Sequence, residues 1–435
     1  MKKLTSLFLL LFSFSIYAQS FNEAKLDSLF THLDNQQQLM GSLAIFQNGD
    51  RVYTNSFGYK DVELRSKNNR HTLYRIGSIS KTFTATIIMQ LVEENKLQLD
   101  TKLDKYFPEI PNASKITIEN LLAHQSGLYN FTDDENYLEW LEEPKSKSEL
   151  LKIFKENKGN SEPKKNTNYS NTNYVLLSFI IEEVEGKDFG VVLEKRILKP
   201  LNLKRTRFGE KIKPKNNEAL SYFGEKNWEL TPQTNMNIPM GAGGIVSDIS
   251  ELTEFFDALF NEKIIKKSSL NKMIEYPGDF GLGIFKIPYR DKTAYGHTGG
   301  IDGFQSISLY FPNEKTGISL LSNGSRTSLN DALLGALDIY FGYDYEIPTL
   351  KPIKNAELYT GVYSGENFPL ELEIFEHNSS LYGKATGQSS FELKETSENN
   401  FEFKPANLQI EFFPEENSLK FTQNGFSFDL DKKKE

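Results

Sequence analysis

The spacing of apolar residues changes repeatedly along the chain, and each change marks a different kind of element. From Phe21 to about Leu39 they recur at helical intervals, through Leu26, Leu29, Phe30 and Leu33. Gly41 to Tyr59 reads instead as a hairpin, with Ser42-Leu-Ala-Ile-Phe46 and Arg51-Val-Tyr-Thr-Asn-Ser-Phe57 joined at Asn48-Gly49-Asp50. A helix is predicted from Ser78, where Ile79, Phe83, Ile87, Leu91 and Val92 keep helical spacing in a run apolar enough to lie inside a domain. The pattern then stays mainly helical to about residue 275, with long polar connections. It includes an amphipathic helix (Ile249, Leu252, Phe255, Phe256, Leu259) that Ser247 and Asp248 would cap. Strands return at Gly281–Ile287, Thr293–Thr298, Phe304–Phe311 and Ile318–Asn323, and a helix follows from Ser328 to Phe341.

Strands at both ends with helices between predict an α+β domain, its antiparallel sheet assembled from the terminal segments and flanked by helices. Pro348, Pro352 and a shift in composition mark a linker at about 343–356. Beyond it, short alternating runs such as Leu370-Glu-Leu-Glu-Ile374 and Phe401-Glu-Phe403 are separated by turn clusters, the pattern of a small all-β sandwich or barrel. The expected domains are therefore 19–345 and 356–435, behind a leader at 1–18.

The leader rests on Met1-Lys-Lys, the apolar run Leu4–Ile16 and then Tyr17-Ala18-Gln19, which reads as a secretory signal peptide cleaved after Ala18. That run is short for a bilayer and no later stretch qualifies, so no membrane span is expected after cleavage and the mature protein is expected in a periplasm or outside the cell. A net charge of −9 without a basic stripe argues against nucleic acid as a partner. The absence of cysteine removes disulfides and a thiol nucleophile. The five histidines are scattered, so neither a metal nor another cofactor is implied, and His124 reads as structural. Nothing in the chain specifies an oligomeric state.

Candidate chemistry starts at Ser78-Ile-Ser-Lys81. Serine and lysine three apart on a helix share a face, and a serine at a helix start meets free backbone N–H groups. Serine needs a neighbouring base to become a nucleophile, and a desolvated lysine can be that base. Ser-x-x-Lys recurs at Ser161–Lys164 and Ser269–Lys272, but the former carries a proline in a polar loop and the latter sits in charged surroundings. Only Ser78 precedes a strongly apolar helix.

Two further segments offer what acyl transfer needs, a proton shuttle and oxyanion donors. Tyr169-Ser170-Asn171 stands before the apolar helix beginning at Tyr174, where a phenol and an amide can meet the lysine, although Ser and Asn also cap helices there. Tyr295-Gly-His297-Thr298-Gly299-Gly300 is dense in glycine beside strand residues, which lets another molecule approach the backbone. His297 and Thr298 would face that molecule, with the Gly300 N–H toward the oxyanion; the alternative is a glycine-rich bulge with a solvated histidine.

Ser78-x-x-Lys81, Tyr169-x-Asn171 and His297-Thr298-Gly299, in that order, resemble the motifs of the serine β-lactamase and penicillin-binding protein superfamily, nearest its class C β-lactamase, DD-peptidase and esterase group. Leu121-Leu-Ala-His-Gln-Ser-Gly-Leu128 and Gly241-Ala-Gly-Gly-Ile-Val-Ser-Asp248 add to the resemblance, which covers about residues 25–342. The C-terminal domain resembles the lipocalin-like domains fused to such hydrolases. The resemblance implies that Ser78 is acylated, that Lys81 activates it, and that Tyr169 acts as general base and then acid. It implies that Asn171 orients the amide, Thr298 binds the polar end of the substrate within the motif His297-Thr298-Gly299, and the N–H groups of Ser78 and Gly300 form the oxyanion hole. A literal Lys315-Thr316-Gly317 is read as a hairpin turn after Phe311-Pro-Asn-Glu314. Histidine where lysine is commoner weakens the match to β-lactams, because imidazole is largely neutral near pH 7. The expected function is an exported serine hydrolase forming an acyl-enzyme on an amide or ester, a D-amino-acid-containing peptide first. Carboxylesterase and β-lactamase are the alternatives, with a small peptide, ester or β-lactam-like substrate in each case; a non-catalytic penicillin-binding protein is the non-enzyme alternative. Specificity is expected in the loops at 129–165 and 205–240.

Overall fold

The computed structural model describes residues 21–433 except 158, 160, 225, 226, 279, 348–352, 354, 378, 379, 387–389, 404 and 405. The expected leader with its cleavage after Ala18, and the linker residues Pro348 and Pro352, lie outside the described residues.

Helix α1 (Glu23–Asn35) starts where the Asn22 side chain accepts the Lys25 N–H, and it buries Leu26, Leu29 and Phe30. It ends four residues earlier than its apolar pattern suggests, because Leu39 already belongs to strand β1 (Leu39–Gln47). Strand β2 (Asp50–Phe57) follows the turn at Asn48-Gly49, whose residues hold φ values of 55° and 88° that suit asparagine and glycine. Helix α2 (Ser80–Glu93) is buried nearly all round, and its Phe83 stacks on Phe255 at 3.6 Å between ring centroids. Helix α3 (Asn171–Glu185) stops at Gly186, at φ 63°. Helix α4 (Ile249–Phe260) is capped by Asp248, which accepts the Glu251 N–H.

The late strands are β3 (Phe285–Tyr289), β4 (Lys292–Ile301), β5 (Phe304–Phe311) and β6 (Thr316–Ser325), followed by α5 (Leu329–Phe341). They form one antiparallel sheet in the order β3-β4-β5-β6-β1-β2. The N-terminal hairpin thus joins the last strand, with Leu39 opposite Ser325 and Gln47 opposite Thr316. Alternation in β1 serves two cores: Leu43 and Ile45 pack with α1 and α5 on one face, and Ala44 and Phe46 with α2 and α4 on the other. Lys315-Thr316-Gly317 lies at the β5–β6 turn, as expected.

Two local expectations are corrected, and the choice between sandwich and barrel is decided. The strand expected at Gly281–Ile287 begins only at Phe285. Gly281 and Gly283 hold φ of 51° and 81°, and the Gly283 carbonyl accepts the Thr82 hydroxyl at 2.9 Å, so this segment turns onto α2. The helical interval contains a small sheet of Tyr74–Arg75, Ile245–Ser247 and Arg207–Phe208. The C-terminal domain is a barrel: eight strands, β7 (Gly361–Gly365) through β14 (Phe426–Lys432), close when Tyr363 pairs with Lys432. Closure removes free edges, and alternation fills the inside, with Leu408, Ile410 and Phe412 buried between exposed Gln409 and Glu411. The barrel meets the larger domain where Gln38 donates to the Tyr382 hydroxyl. Among the described residues no helix is long and apolar enough to cross a membrane.

Candidate active site

A short 3-10 turn, Gly77–Ile79, precedes α2 and carries Ser78, which is half-buried. Lys81 follows on the first turn of α2 with no exposed surface. Its Nζ lies 2.9 Å from Ser78 Oγ, 2.7 Å from Asn171 Oδ1 and 2.8 Å from the Ala242 carbonyl. Asn171 opens α3 and is fixed from behind: its N–H donates to Asn130 Oδ1 at 2.9 Å and its Nδ2 to Thr132 Oγ1 at 3.1 Å. With Nδ2 so engaged, Oδ1 faces the amine.

Tyr169 enters from the residues ahead of α3. Its hydroxyl hydrogen-bonds the Ser78 side chain, and its ring centre lies 4.9 Å from Lys81 Nζ. The ring stacks on His124 at 4.2 Å. His124 is buried, and its Nδ1 accepts the Ser170 N–H at 3.1 Å, so this histidine locates the tyrosine segment.

Strand β4 closes the site from the sheet. A Cβ on Gly299 would lie 2.2 Å from the Ile76 carbonyl oxygen and 3.0 Å from Ser78 N, and one on Gly77 would lie 2.8 Å from Gly300 N. The two backbones therefore touch, an approach only glycine permits, with Ser78 N against Gly299 and Gly300 N against Gly77. Thr298 is exposed on this strand. His297 departs from the expectation that it faces substrate or solvent. It is 1% exposed, packs on Phe285 at 4.1 Å between centroids and bonds the Thr298 carbonyl through Nδ1. Successive strand side chains point to opposite faces, so one of the pair had to turn inward.

Burial dominates the electrostatics. It holds the Lys81 amine well below its usual range, and none of the amine's three hydrogen-bond partners is charged. It pushes His297 down to about 3, with the Lys81 charge adding to the effect, and lowers His124 strongly. It raises the Tyr169 phenol, against the opposing hydrogen bond to Ser78. A neutral amine has two N–H donors and one lone pair. The carbonyl oxygens of Asn171 and Ala242 accept two N–H bonds from the amine, and Ser78 Oγ is its third partner.

The structure thus brings together Ser78, Lys81, Tyr169, Asn171, Gly299 and Gly300, with Thr298 at the open side and His297 inside. The sequence model of the Beta-lactamase family matches residues 26–339. The chain belongs to that family. This β-lactamase-family protein is 27% identical over 429 residues to a penicillin-binding protein of Bacillus subtilis (strain 168), covering 91% of this chain and 94% of that one. It is 26% identical to a teichoic acid D-alanine hydrolase of Staphylococcus aureus, over 65% of this chain and 70% of the relative. The crystal structure of D-amino acid amidase from Ochrobactrum anthropi SV3 complexed with L-phenylalanine amide is similar, with a TM-score of 0.64 and 25% identity, over 73% of this chain and 99% of that one. The β-lactamase-family chain is a serine hydrolase of the superfamily to which these penicillin-binding proteins and amidases belong.

Sequence reasoning missed three supports of the site. The Ala242 carbonyl sits inside Gly241-Ala-Gly-Gly, a stretch that drew notice without a role, since a backbone acceptor leaves no side-chain signal. Asn130 and Thr132, which hold Asn171, are common loop residues with no distinguishing pattern.

Proposed function

We propose that this protein is an exported serine hydrolase that is acylated on Ser78 and cleaves D-aminoacyl amides or esters. The observation that carries the reading is the coordination of Lys81: a buried amine with two carbonyl acceptors and the Ser78 hydroxyl. In this reading Lys81 takes the Ser78 proton as Oγ attacks the acyl carbon. The N–H groups of Ser78 and Gly300 receive the oxyanion. Tyr169, whose phenol burial keeps protonated, gives a proton to the leaving amine or alkoxide and regains one as water attacks the acyl-enzyme. Asn171 holds the amine and Thr298 meets the polar end of the substrate.

His297 favours a leaving group without a carboxylate. A lysine there would offer a positive charge to a C-terminal carboxylate, whereas the imidazole is buried and neutral. This supports amides and esters over D-Ala-D-Ala carboxypeptidase or β-lactamase action. The D-configuration follows the names of the hydrolase and amidase relatives. Export follows the apolar segment behind Met1-Lys-Lys, with cleavage after Ala18.

Purified protein offered D-alanyl esters, D-amino acid amides, their L-counterparts, D-Ala-D-Ala peptides and nitrocefin should turn over the D-esters or D-amides fastest. Ser78→Ala should abolish both turnover and fluorophosphonate labelling. Label that survives on Ser78→Ala, or a preference for the carboxylate-bearing peptides, contradicts the reading. N-terminal sequencing of protein recovered outside the cytoplasm should begin at Gln19.

A further inference from the structure

An oxyanion hole works only if both donors aim at one point, and here they come from distant parts of the chain. The Ser78 segment bonds elsewhere along its backbone: Ile76 N donates to the Ile245 carbonyl at 3.1 Å, in line with the pairing of Arg75 and Val246. What ties it to β4 is side-chain chemistry. Arg75, three residues before the nucleophile, meets Asp302, two residues after Gly300, at 2.6 Å, and both side chains are 2% exposed. Arg75 Nη1 also donates to the Thr234 carbonyl at 2.8 Å and Nη2 to the Glu210 carbonyl at 3.1 Å. The remaining Asp302 oxygen accepts Thr234 N–H at 3.0 Å and its hydroxyl at 2.7 Å. Asp302 itself stands at φ 54°, a left-handed position that aspartate tolerates.

Resting on the reading that Ser78 and Gly300 form the oxyanion hole, we propose that Arg75, Asp302 and Thr234 are positioning residues that set the separation and aim of those two N–H groups. A buried ion pair contributes little net stability compared with apolar packing, and its attested use is to fix one arrangement over others. This one closes a triangle across three segments: the lead-in to the nucleophile, the β4–β5 turn and the loop that carries Thr234. Backbone contact between Gly77, Gly299 and Gly300 leaves no side chain between the segments to act as a spacer. The Ser306 hydroxyl, opposite Gly299, donates to the Ile76 carbonyl at 2.8 Å, and the triangle is the charged clamp that acts beside it.

The test uses the full chain and an ester that the wild type hydrolyses. Asp302→Asn keeps the shape but loses the charge; it should lower kcat about tenfold to a hundredfold, short of deleting a donor. KM should stay within about twofold, because the donors act on the transition state. Thr234→Val keeps both charges and should give a smaller loss of the same kind. Arg75→Ala with Asp302→Ala should cost no more in kcat than the worse single variant, as expected of residues acting as one unit. Near-ultraviolet circular dichroism normalises each rate to folded protein. Wild-type kcat per folded molecule in Asp302→Asn, or a loss confined to KM, overturns the proposal. If Asp302→Asn does not fold, wild-type kcat in Thr234→Val overturns it. A wild type that turns over no ester or amide removes the acyl-enzyme reading itself, a different result from an active wild type with indifferent variants.

Discussion

Mild acid should destabilise this protein through His297, and the size of the effect follows from its surroundings. The imidazole is 1% exposed, packed on Phe285, and lies within reach of the Lys81 charge. Burial, then that charge, move it from an ordinary 6.5 to about 3. As pH falls below 6.5 the unfolded chain takes up a proton that the folded chain refuses until about pH 3, so the unfolded state binds more protons and stability falls through that window. Each pH unit inside it costs about 1.4 kcal/mol. Going from pH 6.5 to 4.5 therefore costs about 2 kcal/mol from this one side chain, since the unfolded imidazole is half protonated at the start, a sizeable part of the roughly 5–15 kcal/mol that holds a domain together. His124, lowered by burial as well, adds a loss of the same sign. Urea unfolding followed by tryptophan fluorescence at pH 7 and pH 4.5 isolates the His297 share when wild type is set beside His297→Gln. The variant should lose about 2–3 kcal/mol less between the two pH values. Equal losses in the two proteins would refute the argument, since His297 would then have no share in the pH dependence.

Lys81→Met should cut kcat by about 10²- to 10⁴-fold through loss of the proton acceptor, while thermal melting records the separate cost of leaving the Asn171 and Ala242 carbonyls unpaired. Tyr169→Phe keeps the stack on His124 and should fold normally, with turnover down by about 10²-fold or more. Gly299→Ala places a methyl 2.2 Å from the Ile76 carbonyl and should abolish turnover, whereas at Gly300 the nearest atom is 3.9 Å away and alanine should be tolerated; steady-state rates compare them directly. Phe255→Ala removes the ring stacked on Phe83 and should cost about 3–5 kcal/mol in a denaturant titration.

Elements whose cause is local were legible in the sequence. Asp248 ahead of a periodic apolar run announced the capped α4, and Asn48-Gly49 between alternating runs announced the β1–β2 hairpin. Strands of two or three residues, such as Tyr74–Arg75 and Ile245–Ser247, are too short to display a period. The apolar residues at Leu282 and Ile284 look like strand, and only the positive φ of Gly281 and Gly283 shows otherwise. Sandwich and barrel share one alternation pattern; the pairing of Tyr363 with Lys432 that separates them is non-local. In the site, motif order located the side chains that meet, from Ser78 to Gly300. The expectation that His297 and Thr298 both face the substrate fails against strand alternation, and which of them lies inside depends on Phe285 from the neighbouring strand.

Strand β1 has one partner synthesised directly after it and another from the far end of the domain. On a growing chain it therefore carries one open edge until β6 emerges, and such edges recruit foreign strands. Loop closure over that span is slow relative to helix formation, so α2 can form long before the sheet it packs on is complete. A fragment ending between α2 and Thr316 would hold the nucleophile yet lack the strand that completes the sheet. Nonsense mutations ahead of that point should thus yield aggregates instead of weakened enzymes.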